Sequence, residues 1–225
     1  MKRAVCLLSG GMDSAVAAAV AKAEGYSLYG LTFNYGQKNR REIVSARRIA
    51  TWLKFKEHWI IRVYLLPESS SLTNPEKKIP TRITKFIPST YVPGRNTLFI
   101  SYGLAYAEAL NAETIFIGIN SIDYSGYPDC RPKYIRQFQK LINLALKKTI
   151  SGKKLVLRAP LLHLSKDQII KKGLELGLDF SLTWSCYRSG EKPCGVCPAC
   201  QLRLEGFRKA GLVDPLVNQT EERET

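Results

Sequence analysis

The residues most suggestive of chemistry form a short glycine-containing loop near the N-terminus, Ser9-Gly10-Gly11-Met12-Asp13-Ser14. Glycines let the backbone approach an anion closely, and the free N–H groups at the start of a following helix bind phosphate. The loop has neither the Gly-Lys-Ser/Thr of a Walker A motif nor the Gly-x-Gly-x-x-Gly pattern. It therefore predicts a different phosphate loop, in which Ser9 and Ser14 add hydroxyl donors and Asp13 holds Mg²⁺ or orients the loop. An ordinary tight turn is the alternative.

Four of the six cysteines cluster near the C-terminus with the spacing C-x₇-C-x₂-C-x₂-C: Cys186, Cys194, Cys197 and Cys200. In a reducing compartment, such a cluster indicates a metal site, and four thiolates suit tetrahedral Zn²⁺. Because protein would fill every position, the zinc would be structural. An iron–sulfur cluster and redox-active thiols are alternatives that the spacing leaves open. Pro193, Gly195 and Pro198 predict turns rather than helix through the cluster.

Two polar loops in the middle of the chain carry further candidate ligands. Arg95 precedes a predicted helix and offers a planar donor to phosphates or a carboxylate. The second loop offers aromatic faces for a heteroaromatic base and carboxylates for an amino-pyrimidine edge: Tyr124, Tyr127, Asp123 and Asp129. Composition alone would favour a role in shaping surface loops. The two histidines, His58 and His163, belong to no cluster and are interpreted as structural.

Alternating strands and helices must position these residues. Apolar runs predict strands at 4–8, 27–33, 59–63, 114–118 and 155–159. Helices are predicted at 15–23, 40–53, 96–110, 134–150 and 165–176, with a short one ending near 206. The helix at 165 begins in a capping box formed by Ser165 and Gln168. The alternation predicts a doubly wound, Rossmann-type α/β fold with a mainly parallel sheet, whose ligands bind beyond the carboxyl ends of the strands.

Length and composition favour one globular domain. With 225 residues, we expect a single domain over 1–217, a zinc-binding segment at about 184–203 and a flexible tail at 218–225. The stretch 66–94 predicts a long loop or mobile flap. No apolar run is long enough to span a membrane, and the N-terminal one is too short for a signal peptide, so a cytoplasmic protein is expected. The net charge of +15 is spread along the chain and is weak support for nucleic-acid binding.

The Ser9–Ser14 loop resembles the PP-loop of the N-type ATP pyrophosphatases, which adenylate a carbonyl or carboxylate oxygen. That resemblance assigns ATP binding to Leu8, Ser9, Gly10, Gly11, Met12, Asp13, Ser14, Ala15, Val16, Ala17 and Ala18. Other motifs occur in the same order: Asn34-Tyr35-Gly36-Gln37, Val92-Pro93-Gly94-Arg95-Asn96, Asp123-Tyr124-Ser125-Gly126-Tyr127-Pro128-Asp129-Cys130-Arg131 and the cysteine pattern. Together they are similar to the QueC family of 7-cyano-7-deazaguanine (preQ₀) synthases from about Arg3 to Val217.

The resemblance implies an adenine-nucleotide α-hydrolase-like fold with a small C-terminal zinc-binding subdomain. It also implies an ATP-dependent ligase that converts 7-carboxy-7-deazaguanine and ammonia to the nitrile through an adenylate and an amide, for queuosine or archaeosine. ATP with Mg²⁺, one structural Zn²⁺ per chain and a homodimer are expected. A chain of this length has no room for a glutaminase domain, so free ammonia would supply the nitrogen.

The resemblance also implies roles for individual residues. Asp13, Ser14 and Arg95 would be catalytic, with Arg131 or Lys133 as further cations for the phosphates. Contacts to the substrate are assigned to Arg95, Asn96, Asp123, Tyr124, Tyr127 and Asp129. Two other functions compete with this interpretation. A PP-loop enzyme modifying tRNA directly would fit the basic charge and extra thiols, and a zinc-ribbon binding module would need no catalysis.

Overall fold

The computed structural model describes residues 2–84, 86–122 and 127–218. Its sheet consists of the parallel strands β1 (Arg3–Leu7), β2 (Ser27–Asn34), β3 (Glu57–Arg62), β4 (Thr114–Ile117) and β5 (Val156–Arg158). The strand order is β3-β2-β1-β4-β5, and Leu7 of β1 pairs with Leu31 on one side and Ile117 on the other. The order reverses at β1, which is the topological switch point where such folds bind ligands. The predicted doubly wound fold is confirmed.

Helices cover both faces of the sheet: α1 (Met12–Ala23), α2 (Arg41–Trp52), α3 (Arg95–Ala109), α4 (Pro132–Ala145), α5 (Lys147–Ile150), α6 (Lys166–Glu175), α7 (Pro198–Ala210) and α8 (Pro215–Asn218). Strand β1 sends alternate side chains to the two faces, as strand geometry requires. Val5 and Leu7 enter the core beneath α3 and α4, whereas Ala4 and Cys6 enter the core beneath α1, α2 and α6. Both faces of β1 are thus buried, which explains its continuous apolar run. Among the described helices, none is long and apolar enough to cross a bilayer.

Two predictions about helices are wrong. The predicted helix at 134–150 is broken, because Leu146 adopts an extended backbone (φ −113°, ψ 143°) and is buried, and α5 then begins at Lys147. The second error concerns Pro198, which starts α7 instead of keeping the cysteine segment in turns. A proline at the first position of a helix removes an N–H that would have no partner there, so it favours that start.

The segment at 66–94 is irregular but packed, apart from Lys85, which lies outside the described residues. Ser71 N–H donates to the Ser89 carbonyl oxygen (2.8 Å), which closes the segment into a loop. Lys38 N–H donates to the Leu72 carbonyl oxygen (2.9 Å), which ties the loop to the residues after β2. Leu72 is buried in the core next to that edge of the sheet. The predicted flexible tail at 218–225 falls, beyond Asn218, outside the described residues.

Candidate active site

A cavity opens at the carboxyl ends of β1, β2 and β4. Elements that are distant in sequence line it: the Ser9–Ser14 loop, the first turns of α2, α3 and α6, and the segment before α7. Chemically useful groups from these elements are Ser9, Asp13, Ser14, Tyr35, Glu42, Arg95, Asn96, Tyr127, Cys130, Lys166 and Tyr187. The cavity is therefore where the predicted phosphate loop and the first middle loop meet.

The Ser9–Ser14 loop is held in shape by its own hydroxyl groups. The Ser14 hydroxyl accepts from Ser9 N–H (3.1 Å) and donates to the Gly11 carbonyl oxygen (3.0 Å). Gly11 N–H donates to the Ser9 hydroxyl (3.3 Å). Helix α1 begins at Met12, so the loop leads directly into the positive end of a helix. This geometry suits an anion, because N–H groups of the first turn have no partner within the helix.

The predicted ATP-binding residues do not all face the cavity. Leu8, Ser9, Gly11, Met12, Asp13 and Ser14 line it. Gly10 is turned toward α2, in a positive-φ conformation (+89°). The remaining predicted residues, Ala15, Val16, Ala17 and Ala18, are buried in the core beneath the sheet. Their position ties α1 to the sheet, so they hold the start of the helix in place.

Asp13 forms an ion pair that the sequence did not reveal. Lys166 Nζ lies 2.8 Å from both carboxylate oxygens of Asp13, and both side chains are largely shielded from solvent. Lys166 is the first residue of α6 and directly follows Ser165, the N-cap of the predicted capping box. That box is present, because Ser165 N–H donates to Gln168 Oε1 (2.9 Å). The cap fixes the start of α6 and thereby places a cation at the phosphate loop.

Arg95 lies opposite, at the start of α3. Its guanidinium donates to the Tyr35 hydroxyl (3.1 Å), and it lies 5.6 Å from the centre of the Tyr35 ring and 6.0 Å from that of Tyr127. These aromatic contacts hold the cation at the cavity wall. Burial raises the pKa of Tyr35 to about 12, so its hydroxyl stays neutral. Arg95 and Lys166 together give the cavity two cations for an anionic ligand.

Glu42 brings a second carboxylate to the cavity from the first turn of α2. Its side chain is half-buried, and this burial raises the pKa of Glu42 to about 7, an effect that the nearby Arg95 partly opposes. Neither Lys166 nor Glu42 is predicted from sequence to face a ligand: Lys166 lies within the capping box, and Glu42 belongs to no predicted motif.

The second middle loop contributes a buried carboxylate beside the cavity. Asp129 Oδ2 accepts from Asn96 N–H (3.2 Å), whereas no described residue donates to the buried Oδ1. Tyr127 lines the cavity, and its hydroxyl bonds to the Thr90 hydroxyl (3.1 Å). Burial raises the pKa of Cys130 to about 12, so this thiol is protonated. The predicted residues Asp123 and Tyr124 lie outside the described part of the chain.

The four clustered cysteines converge as a metal site requires. Their sulfur atoms all lie within 4.8 Å of one another, and Cys194 Sγ is 4.0 Å from Cys200 Sγ. Tetrahedral zinc with Zn–S bonds of about 2.3 Å places sulfur atoms about 3.8 Å apart, so the arrangement fits that ion. Backbone N–H groups also point at sulfur, from Cys194 to Cys186 Sγ (3.4 Å) and from Cys197 to Cys194 Sγ (3.3 Å).

The cysteine segment also forms one wall of the cavity. Trp184 N–H donates to the Gly10 carbonyl oxygen (2.9 Å), which joins this segment to the phosphate loop. Asn39 Nδ2 donates to the carbonyl oxygens of Cys186 (2.8 Å) and Arg188 (2.6 Å). Trp184 and Tyr187 face the cavity. A metal bound by the cysteines would therefore shape the site without touching a ligand in it.

His58 is bound within the fold, as interpreted from sequence. Its Nε2 lies 2.8 Å from the Thr32 hydroxyl, which itself donates to the Leu8 carbonyl oxygen (2.5 Å). Burial lowers the pKa of His58 to about 4, so the ring is neutral. His58 links the neighbouring strands β2 and β3 and does not line the cavity.

Comparisons with known proteins identify the family. The family model described as queuosine biosynthesis protein QueC matches residues 3–211. A 7-cyano-7-deazaguanine synthase from Acetivibrio thermocellus is 50% identical over 96% of this chain and 97% of its own length. One from Syntrophus aciditrophicus is 51% identical, with coverages of 97% and 98%. The structure of NMN synthetase from Francisella tularensis has a TM-score of 0.47 and 19% identity, over 100% of this chain and 87% of that one. The sequence matches establish that the chain belongs to the QueC family.

Proposed function

We propose that this protein is an ATP-dependent ligase that converts 7-carboxy-7-deazaguanine and ammonia to 7-cyano-7-deazaguanine. Relatives that are about half identical over nearly their whole length are named for this product. The observation that carries the proposal is the cavity itself, in which a phosphate-type loop faces two cations, Arg95 and Lys166. A carboxylic acid needs activation before ammonia can displace its oxygen, and such a cavity is built to bring a polyphosphate to it.

ATP would bind with its phosphates at the Ser9–Ser14 loop and the start of α1. Lys166 would exchange part of its contact with Asp13 for phosphate oxygens, and the freed Asp13 carboxylate suits Mg²⁺, which prefers oxygen ligands. Asp13 and Ser14 are then groups that hold the nucleotide. Arg95 would neutralise negative charge as the α-phosphate is attacked. Lys166 thereby joins the residues assigned from sequence.

The acid would bind beyond the phosphates, toward Asn96, Tyr127 and Asp129. A 7-deazaguanine ring presents a ring N–H and an exocyclic amino group on one edge, and Asp129 Oδ1 is a buried acceptor without a described donor. The Tyr127 ring offers an apolar face. Asp123 and Tyr124 retain the substrate contacts assigned to them from sequence. In this arrangement, the carboxylate at position 7 would lie between the ring site and the phosphates.

The reaction would then proceed by two activations. A carboxylate oxygen attacks the α-phosphorus of ATP, and pyrophosphate leaves. Ammonia adds to the carbonyl carbon, and AMP departs to give the amide. The amide oxygen attacks a second ATP in the same way, and loss of AMP and protons from the resulting adduct gives the nitrile. Positioning and fixed charges would supply the catalysis of adenylation, and the described cavity offers no activated covalent nucleophile.

The cysteine cluster would hold one structural Zn²⁺, and it supports the expectation of a reducing, cytoplasmic location. Zinc would contribute folding energy to the cavity wall formed by Trp184 and Tyr187. We also propose a homodimer. Leu141 on α4 is half exposed, Leu144 on α4 and Ile150 on α5 are largely exposed, and a second copy would cover such side chains. The product would serve queuosine or archaeosine synthesis.

The experiment that tests the function asks which substrate triggers adenylation. Purified protein with Mg²⁺-ATP and labelled pyrophosphate should incorporate label into ATP only when 7-carboxy-7-deazaguanine is added. An Asp13→Asn variant should lose this exchange. Exchange that depends on unmodified tRNA instead would support the tRNA-modifying alternative. Absence of exchange with either substrate, in folded zinc-loaded protein, would contradict the ligase assignment.

A further inference from the structure

The proposed reaction must strip protons from nitrogen, and the cavity contains a carboxylate placed to accept them. When ammonia adds to the acyl adenylate, the nitrogen of the adduct carries a positive charge and must lose a proton as AMP leaves. In the second activation, the adduct loses its remaining N–H protons as the C–N triple bond forms. A general base beside the nitrogen would serve both steps. The inference below rests on the proposed function.

Most described groups that line the cavity are unsuited to this role. Asp13 is bound at both oxygens by Lys166, and with ATP bound its carboxylate would be committed to Mg²⁺. The hydroxyl of Tyr35 and the thiol of Cys130 hold their protons, because burial raises the pKa of each to about 12. Lys166 and Arg95 are cations. His58, the usual residue type for proton transfer, contacts Thr32 and does not line the cavity.

Glu42 differs from these groups in its contacts. It lines the cavity from the first turn of α2, and no hydrogen bond or ion pair engages its carboxylate among the described residues. Its backbone packs against Gly10 of the phosphate loop, so the side chain starts beside the site expected for the phosphates. Arg95 lies near enough to influence its charge, and Tyr35 faces both groups. An uncommitted carboxylate is thus held next to the position where the acyl adenylate would form.

We propose that Glu42 is the general base that removes protons from nitrogen in amide formation and in dehydration to the nitrile. In the first step, the N–H bond breaks toward Glu42 as the bond from carbon to the AMP oxygen breaks, and AMP leaves with that electron pair. In the second, loss of the first N–H proton leaves its electron pair on nitrogen as a lone pair. The electron pair of the last N–H bond then enters the C–N bond as the C–O bond breaks, and AMP leaves with the C–O pair. Glu42 passes each proton to water.

The proton affinity of Glu42 agrees with this assignment. Burial raises its pKa to about 7, and the charge of Arg95 keeps the pKa from rising further. A base that titrates near the working pH combines a large unprotonated fraction with useful basicity. An ordinary exposed glutamate would be too weak a base for efficient transfer from nitrogen.

The variant Glu42→Gln tests the proposal, because adenylation and the steps that follow it can be measured separately. Acid-dependent exchange of pyrophosphate into ATP should remain close to wild type, because adenylation needs no base. Conversion of acid and ammonium to amide, and of amide to nitrile, should each slow by about 100-fold or more. Hydroxylamine is a weaker base than ammonia, so the nitrogen of its adduct loses a proton to water more readily, and hydroxylamine should restore much of the acyl transfer. Glu42→Asp should form amide and nitrile at intermediate rates. The control Glu57→Gln, on an exposed residue of β3, should form both at wild-type rates.

The proposal is overturned if Glu42→Gln makes nitrile from amide at the wild-type rate. It is also overturned if pyrophosphate exchange falls in this variant by as much as nitrile formation does. Wild-type protein gives a test that does not depend on a variant folding. The amide-to-nitrile rate should rise with pH through about 7, since Glu42 must be unprotonated and Tyr35 and Arg95 do not titrate there. A flat profile across that range overturns the proposal. If wild type shows no acid-dependent exchange, the proposed function has failed instead.

Discussion

Gly10 and Glu42 are packed so closely that no side chain fits between them: a β-carbon built on Gly10 would lie 2.0 Å from the Glu42 carbonyl oxygen. Gly10 also has a φ of +89°, which residues with a side chain rarely adopt. The glycine therefore serves two purposes, since it shapes the phosphate loop and lets the first turn of α2 dock on it. That docking brings a carboxylate to the cavity.

Gly10→Ala should therefore be strongly destabilising. Backbone clash and a strained φ together should lower the free energy of unfolding by about 3 kcal/mol or more, and acid-dependent exchange should be lost. Gly25→Ala is the matched control, because Gly25 has a similar φ (+82°) but no atom within 4 Å of the built β-carbon. Gly25→Ala should lower the free energy of unfolding by only about 1–2 kcal/mol. Urea unfolding measures both, and equal losses would contradict the packing argument.

Lys166 should act on ATP rather than on the acid. Lys166→Gln removes the cation that faces the phosphate loop, so we expect exchange to fall by about 100-fold, with a raised KM for ATP. Lys171→Gln, on an exposed residue of the same helix, should have little effect. Lys166 and Asp13 form one ion pair. The double variant Lys166→Gln/Asp13→Asn should therefore lose less exchange activity than the sum of the two single-variant losses, expressed as free energies. Additive losses would indicate independent roles.

Asp129 should select the guanine-like ring. Asp129→Asn replaces an acceptor with a donor, so we expect the KM for 7-carboxy-7-deazaguanine to rise by about 10- to 100-fold. The KM for ATP should stay unchanged, because the nucleotide binds at the other end of the cavity. Wild type should prefer 7-carboxy-7-deazaguanine over an analogue that lacks the exocyclic amino group. The variant should show a much smaller preference. Unchanged kinetics with both acids would remove Asp129 from the ring site.

Zinc removal should inactivate the enzyme indirectly. Metal analysis should find about one zinc per chain and no iron. Cys194→Ser should lose the metal and disorder the cavity wall, because Trp184 of that segment is bonded to Gly10. Exchange should then fail together with zinc content, and the Tm should drop. Stoichiometric iron would favour the cluster alternative, and full activity without metal would contradict the structural role.

The parallel sheet could be predicted because its central strands carry continuous apolar runs. Val5 and Cys6 are buried on opposite faces, and only a strand covered by helices on both sides allows that. The Ser9–Ser14 loop and the cysteine cluster are each local in sequence, so both patterns could be recognised without a structure. Of the two, the convergence of the cysteines is confirmed. The break at Leu146 was missed because periodic apolar residues continue across it, and burial of Leu146 in the tertiary core decides its backbone.

Glu42 and Lys166 could not be found this way. Each lies in the first turn of a helix, where charged residues are common and are usually solvated. Their position in the cavity depends on how α2 and α6 dock, and that depends on distant contacts such as Gly10 against Glu42. A capping box predicted the start of α6 at Ser165, yet it carried no information about which ligand Lys166 faces.

The central claim, that one cavity turns an acid into a nitrile through an amide, is tested most directly by a labelled time course. Zinc-loaded protein would be mixed with 7-carboxy-7-deazaguanine, Mg²⁺-ATP and ¹⁵N-ammonium, and the products followed by mass spectrometry. The account predicts that labelled amide rises and falls, labelled nitrile accumulates, and AMP is released in both phases. Acid that stays unchanged, or amide that accumulates without nitrile while ATP remains, would contradict it.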